Sequence, residues 1–125
     1  MKILIAEDET LMLKTMELKL KRDGHTVITT TNGRDAIELL NQSYFDLVIT
    51  DIMMPYTSGL ELLSYVKSQH GKITPVIVLS AMGQENVVVE AFNLGADDYI
   101  TKPFSPTELS LRVNRFASHL TANYQ

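Results

Sequence analysis

No cysteine occurs in the 125 residues, which excludes a disulfide framework, a thiolate metal site and a thiol nucleophile. No run or stripe of lysine and arginine occurs either, and the formal net charge is −4. The domain therefore offers no nucleic-acid surface, and any DNA contact lies outside it. No apolar stretch approaches the length of a membrane span. The opening Met1-Lys2-Ile3-Leu4-Ile5-Ala6 turns acidic at Glu7, too soon for a signal-peptide core. A cytoplasmic protein without membrane contact is expected. Linkers, internal repeats and low-complexity tracts are missing as well. At 125 residues the chain suits one domain and is short for two.

What is present is an alternation of apolar runs and amphipathic stretches. Ile3 to Ala6, Thr26 to Thr30, Asp46 to Thr50, Pro75 to Leu79 and Asp98 to Thr101 read as five strands. Helices are expected over Thr10 to Arg22, around Ala36, Ile37 and Leu40, from about Leu60 to Gln69, from about Gln84 to Leu94, and from Pro106 to His119. Gly24 and Gly95 stand at helix stops, and Asn32-Gly33 reads as a turn. Strands too apolar to be half exposed, each followed by a helix, imply a parallel sheet covered on both faces. The fold class is α/β: a doubly wound (βα)5 sandwich with a five-stranded parallel sheet. Residues 1–120 form the domain, and residues 121–125 a tail or the start of a linker.

Polar signals recur where the strands end. Glu7 and Asp8 follow the first strand, Asp51 the third, Ser80 the fourth and Lys102-Pro103 the fifth. In an open parallel sheet the loops leaving the carboxyl ends of the strands converge, so these residues share one site. Three crowded carboxylates repel one another unless a cation intervenes, and a hard divalent ion such as Mg²⁺ is the natural occupant. Lys102 beside them would neutralise an incoming phosphoryl group. Each residue also has a plain reading: acids favour a helix start, Asp51 caps a turn, Ser80 bonds its own backbone, and Lys102 is solvated. It is their common placement that favours a site. His25, His70 and His119 fall away from those loops and are not expected to ligate or catalyse.

With these residues in place the chain resembles the receiver domains of bacterial two-component response regulators, similar to the chemotaxis regulator CheY and sharing the doubly wound architecture of flavodoxin. The resemblance covers nearly the whole chain and rests on Glu7-Asp8, on Asp51 with Met53-Met54-Pro55 and Gly59, on Ser80-Ala81, and on Lys102-Pro103-Phe104. It implies that Asp51 is the phospho-acceptor and that Glu7, Asp8, Asp51 and the Met53 backbone carbonyl hold Mg²⁺. By the same resemblance Lys102 contacts the phosphoryl group, and Ser80 with Tyr99 forms a switch pair. A sensor histidine kinase or phosphotransfer protein would be the donor. The protein would catalyse only its own phosphorylation and dephosphorylation. The stretch from Leu94 to Leu109 is similar to the OmpR/PhoB subfamily of DNA-binding regulators, which implies a role in transcription regulation. That subfamily carries bases on its fourth helix to pair with acids such as Glu108 across a dimer, whereas this helix has none from Asn86 to Phe92. A free-standing receiver acting as a phosphorelay intermediate is the alternative.

Other classes fit less well. A haloacid-dehalogenase-type phosphatase needs an acid two residues after its nucleophile, and Met53 stands there. A flavodoxin-like carrier would have to seat a phosphate against Glu7-Asp8-Glu9. The successive valines Val87, Val88 and Val89 point about 100° apart on a helix, so at least one faces solvent. The fourth helix, fifth strand and last helix are accordingly expected to form a partner or homodimer surface.

Overall fold

The computed structural model describes residues 1–69 and 74–124. His70 lies outside the described residues, as does the side chain of His119. The elements alternate without exception: β1 (Lys2–Ala6), α1 (Thr10–Arg22), β2 (Thr26–Thr30), α2 (Gly33–Gln42), β3 (Leu47–Asp51), α3 (Gly59–Lys67), β4 (Val76–Ser80), α4 (Glu85–Asn93), β5 (Asp98–Thr101) and α5 (Pro106–Tyr124). All strand pairs are parallel, in the order β2-β1-β3-β4-β5. This is the doubly wound sandwich expected.

The apolar runs are explained by burial on both faces. Ile3 and Ile5 of β1 face a core completed by Leu13, Met16 and Leu20 of α1 and Leu109 and Val113 of α5. Leu4 and Ala6, alternating with them, face a second core of Ala36, Leu62, Leu63, Val66 and Ala91 from α2, α3 and α4. A period-2 strand with apolar partners on each side has no position left for a polar residue. The edge strands depart from this: Thr26 of β2 is exposed, and in β5 exposed Tyr99 and Thr101 alternate with buried Asp98 and Ile100.

Three local expectations shift. Asn32-Gly33 is not a free turn: Asn32 is the N-cap of α2, its side chain accepting from Asp35 N at 2.8 Å, and Gly33 is already helical. Strands β3 and β4 each extend one residue further, to Asp51 and Ser80, because the parallel register Asp51↔Leu79 and Ser80↔Thr101 keeps those residues in the ladder. Helix α5 continues past His119 to Tyr124, and no proline or glycine follows Pro106 to stop it. Gly24 and Gly95 close α1 and α4 as expected, with φ of +97° and +107°. Among the described residues no helix is long and apolar enough to cross a membrane.

Two glycines test the packing differently. A Cβ on Gly59 would lie 2.1 Å from the Asp51 carbonyl oxygen, whereas one on Gly24 would meet nothing within 4 Å. Gly24→Ala is expected to cost about 1–2 kcal/mol through its positive φ alone. Gly59→Ala should cost about 3 kcal/mol and displace the end of β3, since backbone has to move. Urea unfolding of the two variants compares them.

Candidate functional site

The strand order reverses direction between β1 and β3, and there the loops diverge and leave a crevice. Ala6 pairs with Thr50 in register, so the next residues, Glu7 and Asp51, end neighbouring strands side by side. Glu7, Asp8 and Asp51 each offer one carboxylate oxygen, and these atoms all lie within 4.8 Å of one another. Glu7 is wholly buried and Asp51 nearly so, while Asp8 is exposed.

Lys102 reaches this cluster from the end of β5. Its Nζ donates to Asp51 Oδ2 at 2.7 Å and makes an ion pair with Glu7 Oε2 at 2.9 Å. The Lys102 backbone N–H donates to the Ser80 carbonyl at 2.7 Å, which fixes the lysine against β4. The Lys102-Pro103 bond is cis. Ser80 is buried at the end of β4. The Met53 amide donates to Asp51 Oδ1 at 3.3 Å, a turn contact that occupies one oxygen while Lys102 occupies the other.

The electrostatics are unbalanced. Burial pushes the Glu7 carboxyl up to about 7, reinforced by the Asp51 charge and opposed by the Glu9 amide at 3.0 Å and the Lys102 ammonium. Burial works against the Lys102 ammonium, but Asp51 and Glu7 outweigh it and hold the lysine above its usual value. Glu7 Oε2 is buried and accepts no hydrogen bond in good geometry. Three carboxylates against one ammonium and an all-oxygen donor set together fit a hard divalent cation.

Glu7, Asp8, Asp51 and Lys102 come together, the Ser80 carbonyl and the Met53 amide are hydrogen-bonded to members of that group, and Tyr99 lies on the flank. Its ring is exposed and meets Phe92 edge-on at 5.7 Å. Tyr99 and Ser80 line one groove of about 500 Å³ that also borders Met82, Val88 and Val89. Val87 and Val88 are half-buried against the second core, and Val89 is 59% exposed. Glu108 finds its base within α5, 3.5 Å from Arg112, which also binds buried Asp98 at 2.9 Å. His25 sits beyond the opposite edge of the sheet, its Nδ1 3.1 Å from the Met1 amino group.

One feature beside the site had no sequence signal. Tyr56, in the loop between β3 and α3, has a φ of +69°, a conformation that costs a non-glycine about 1–2 kcal/mol. The Arg34 guanidinium lies over its ring, 4.5 Å from the centroid, an exposed cation–π contact worth about 0.5–1 kcal/mol. The two residues belong to different elements, and no periodicity links them.

Comparison with known proteins places this geometry in a family. A family model described as the response regulator receiver domain matches residues 3–114. The chain is 39% identical over 112 residues to the transcriptional regulatory protein ResD of Bacillus subtilis, covering 90% of this chain and 46% of that protein. It is 40% identical over 118 residues to the response regulator SaeR of Staphylococcus aureus, covering 94% of this chain and 51% of that protein. The chain thus spans about half the length of the curated relatives it matches. The solved receiver domain of the Francisella response regulator 1452 superposes with a TM-score of 0.87 at 35% identity, covering 95% of this chain and 98% of that one.

The raised Glu7 pKa has a measurable sign. Between about 4.5 and about 7 the folded, metal-free protein keeps a proton that the unfolded chain has released. Stability from this group is therefore present below that window and lost as pH rises through it, by on the order of 3 kcal/mol. Burial lowers the His25 pKa and gives the opposite slope, so the measurement is a difference. Urea unfolding in chelator should show native protein losing stability relative to Glu7→Gln from pH 5 to pH 8. A constant difference would refute the burial effect.

Proposed function

The chain belongs to the response regulator receiver domain family, and on that premise we propose that Asp51 accepts a phosphoryl group from a sensor histidine kinase or phosphotransfer protein. The observation that carries this reading is Lys102 Nζ held 2.7 Å from Asp51 Oδ2 at the edge of a three-carboxylate cluster. An Asp51 oxygen attacks phosphorus, an O–P bond forms as the donor's P–N bond breaks, and the imidazole leaves with a proton. Lys102 follows the charge onto the phosphoryl oxygens, and the Ser80 hydroxyl donates to one of them. Glu7, Asp8, Asp51 and the Met53 carbonyl would hold Mg²⁺, which supplies further charge neutralisation at those oxygens. Glu7 and Asp8 contribute negative charge and leave the nucleophile's role to Asp51, whose strand holds it rigidly. External substrate turnover is not part of this reading.

The output surface is α4, β5 and α5. Loss of the Ser80 hydroxyl to the phosphoryl group opens space in the groove it shares with Tyr99, and Tyr99, whose ring meets Phe92 edge-on, turns inward. The change alters a face that carries exposed Val89, Phe92 and Leu111. A partner protein or a second copy docks there, and transcription regulation is the process served, as for the transcriptional regulatory protein ResD. We assign the receiver unit to residues 1–120, residues 121–125 to a tail or the start of a linker, and the whole to the cytoplasm.

Two measurements check this reading. Acetyl phosphate with Mg²⁺ should give one phosphoryl adduct by intact mass, lost in Asp51→Asn and absent in chelator. An adduct that survives either change overturns the assignment. The second concerns lifetime. Met53 and Met82 are 60% and 80% exposed and occupy the family positions that flank the path of the hydrolytic water. Thioethers exclude water without orienting it. Met53→Asn combined with Met82→Glu should therefore speed phosphoryl loss severalfold, and an unchanged time course would show that the methionines do not set the rate.

A further inference from the structure

The loop between β3 and α3 bends most sharply at a residue poorly suited to the bend. At Tyr56, with its φ of +69°, the Thr57 amide donates across the turn to the Pro55 carbonyl at 2.9 Å. A three-residue turn of this bond and this sign of φ is rare and strained. Glycine adopts it freely, yet a tyrosine stands here, and at 74% exposure its ring is not held by burial. Strained residues persist only where their surroundings over-determine them.

The surroundings do so at both ends of the loop. On one side a Cβ at Gly33 would lie 2.2 Å from the Thr57 carbonyl oxygen, so the first turn of α2 touches the loop backbone directly. The next residue, Arg34, lays its guanidinium over the Tyr56 ring. Glu38, four residues on along α2, is at the spacing of a helical ion pair, but among the described residues Arg34 makes no ion pair and stacks on the ring. On the other side the Gly59 amide donates to the Ile52 carbonyl at 2.8 Å. Met53 lies between these two grips, tethered to Asp51 by its own amide.

We propose that Arg34 and Tyr56 are positioning residues whose stack latches α2 to the β3–α3 loop and holds Met53 in the shape in which its carbonyl completes the metal's oxygen ligands. The identity of the metal site rests on the phosphorylation reading above. A loop already shaped by the latch receives the ion without first being ordered, and preorganisation of that kind raises affinity without altering the chemistry that follows. The latch therefore acts on metal binding and leaves phosphoryl transfer at saturating metal unchanged.

The test uses the whole chain and four variants: Arg34→Ala, Arg34→Lys, Tyr56→Gly and Tyr56→Phe. Calorimetric titration with Mg²⁺ should show affinity falling about two- to fivefold in Arg34→Ala and Tyr56→Gly, the range that loss of one exposed cation–π contact allows. Tyr56→Phe keeps the ring and should match the native protein, and Arg34→Lys should fall between. Acetyl phosphate rates at saturating Mg²⁺ should be equal in all five proteins. In chelator, amide exchange at Met53, Met54, Tyr56 and Thr57 should quicken in Arg34→Ala and Tyr56→Gly only. The urea midpoint of Tyr56→Gly should not fall, since glycine relieves the strained φ, and a merely structural tyrosine would lower it. Native affinity in Arg34→Ala overturns the proposal whether or not exchange changes. A native chain that binds Mg²⁺ at the cluster but takes no phosphoryl group overturns the phosphorylation reading and leaves the latch to the titration. A native chain that binds no Mg²⁺ overturns both.

Discussion

Lys102 stands between two carboxylates that would otherwise repel each other at the end of a nearly dry sheet. Its ammonium lies 2.7 Å from Asp51 and 2.9 Å from Glu7, and much else in the structure serves to keep it there. Burying Glu7 carries a penalty large enough to lift its pKa to about 7 despite the lysine, so the cluster is under strain before any ligand arrives. A flexible scaffold would relax by moving the acids apart. A five-stranded parallel sheet with apolar cores on both faces cannot, because β1 and β3 are locked in register one residue below the acids. Rigidity in the core thus maintains an excess of negative charge at the rim, a cluster able to hold a cation.

The same strand ends carry the site outward. Ser80 lies at the end of β4, its carbonyl bound by the Lys102 amide, and its neighbour strand β5 presents Tyr99 to the groove beneath α4. A change at Asp51 therefore has only two short strands to cross before it meets an exposed aromatic. Because β5 is an edge strand with one covered face, an aromatic there has room to adopt a second position, which the central strands would deny it. The arginines that could have bridged this face to another molecule are already engaged with Asp98 and Glu108, so the face around α4 is left acidic and apolar.

Departures from ordinary sequence rules gather around the site. A glutamate is fully buried at Glu7, a tyrosine takes a positive φ at Tyr56, and two methionines are exposed at positions 53 and 82. Such local conflicts are expected where function, and not stability, selects the residue. The central strands β1, β3 and β4 follow the ordinary pattern, apolar where both faces are covered.

The alternation of apolar runs and helical stripes determined the element order, and a parallel sheet followed because strands without a polar face need cover on both sides. Strand-end placement likewise gathered Glu7, Asp8, Asp51, Ser80 and Lys102 into one list, since period and spacing reveal which residues leave the sheet. Distances and partners were beyond it. That Lys102 bridges Glu7 and Asp51, that Glu108 turns to Arg112 within its own helix, and that Val89 is the outward valine of three depend on strand order, register and helix rotation. The Arg34–Tyr56 stack and the close approaches at Gly33 and Gly59 were least legible of all. They are contacts between elements remote in sequence, and only the packing of α2 against the β3–α3 loop brings them together.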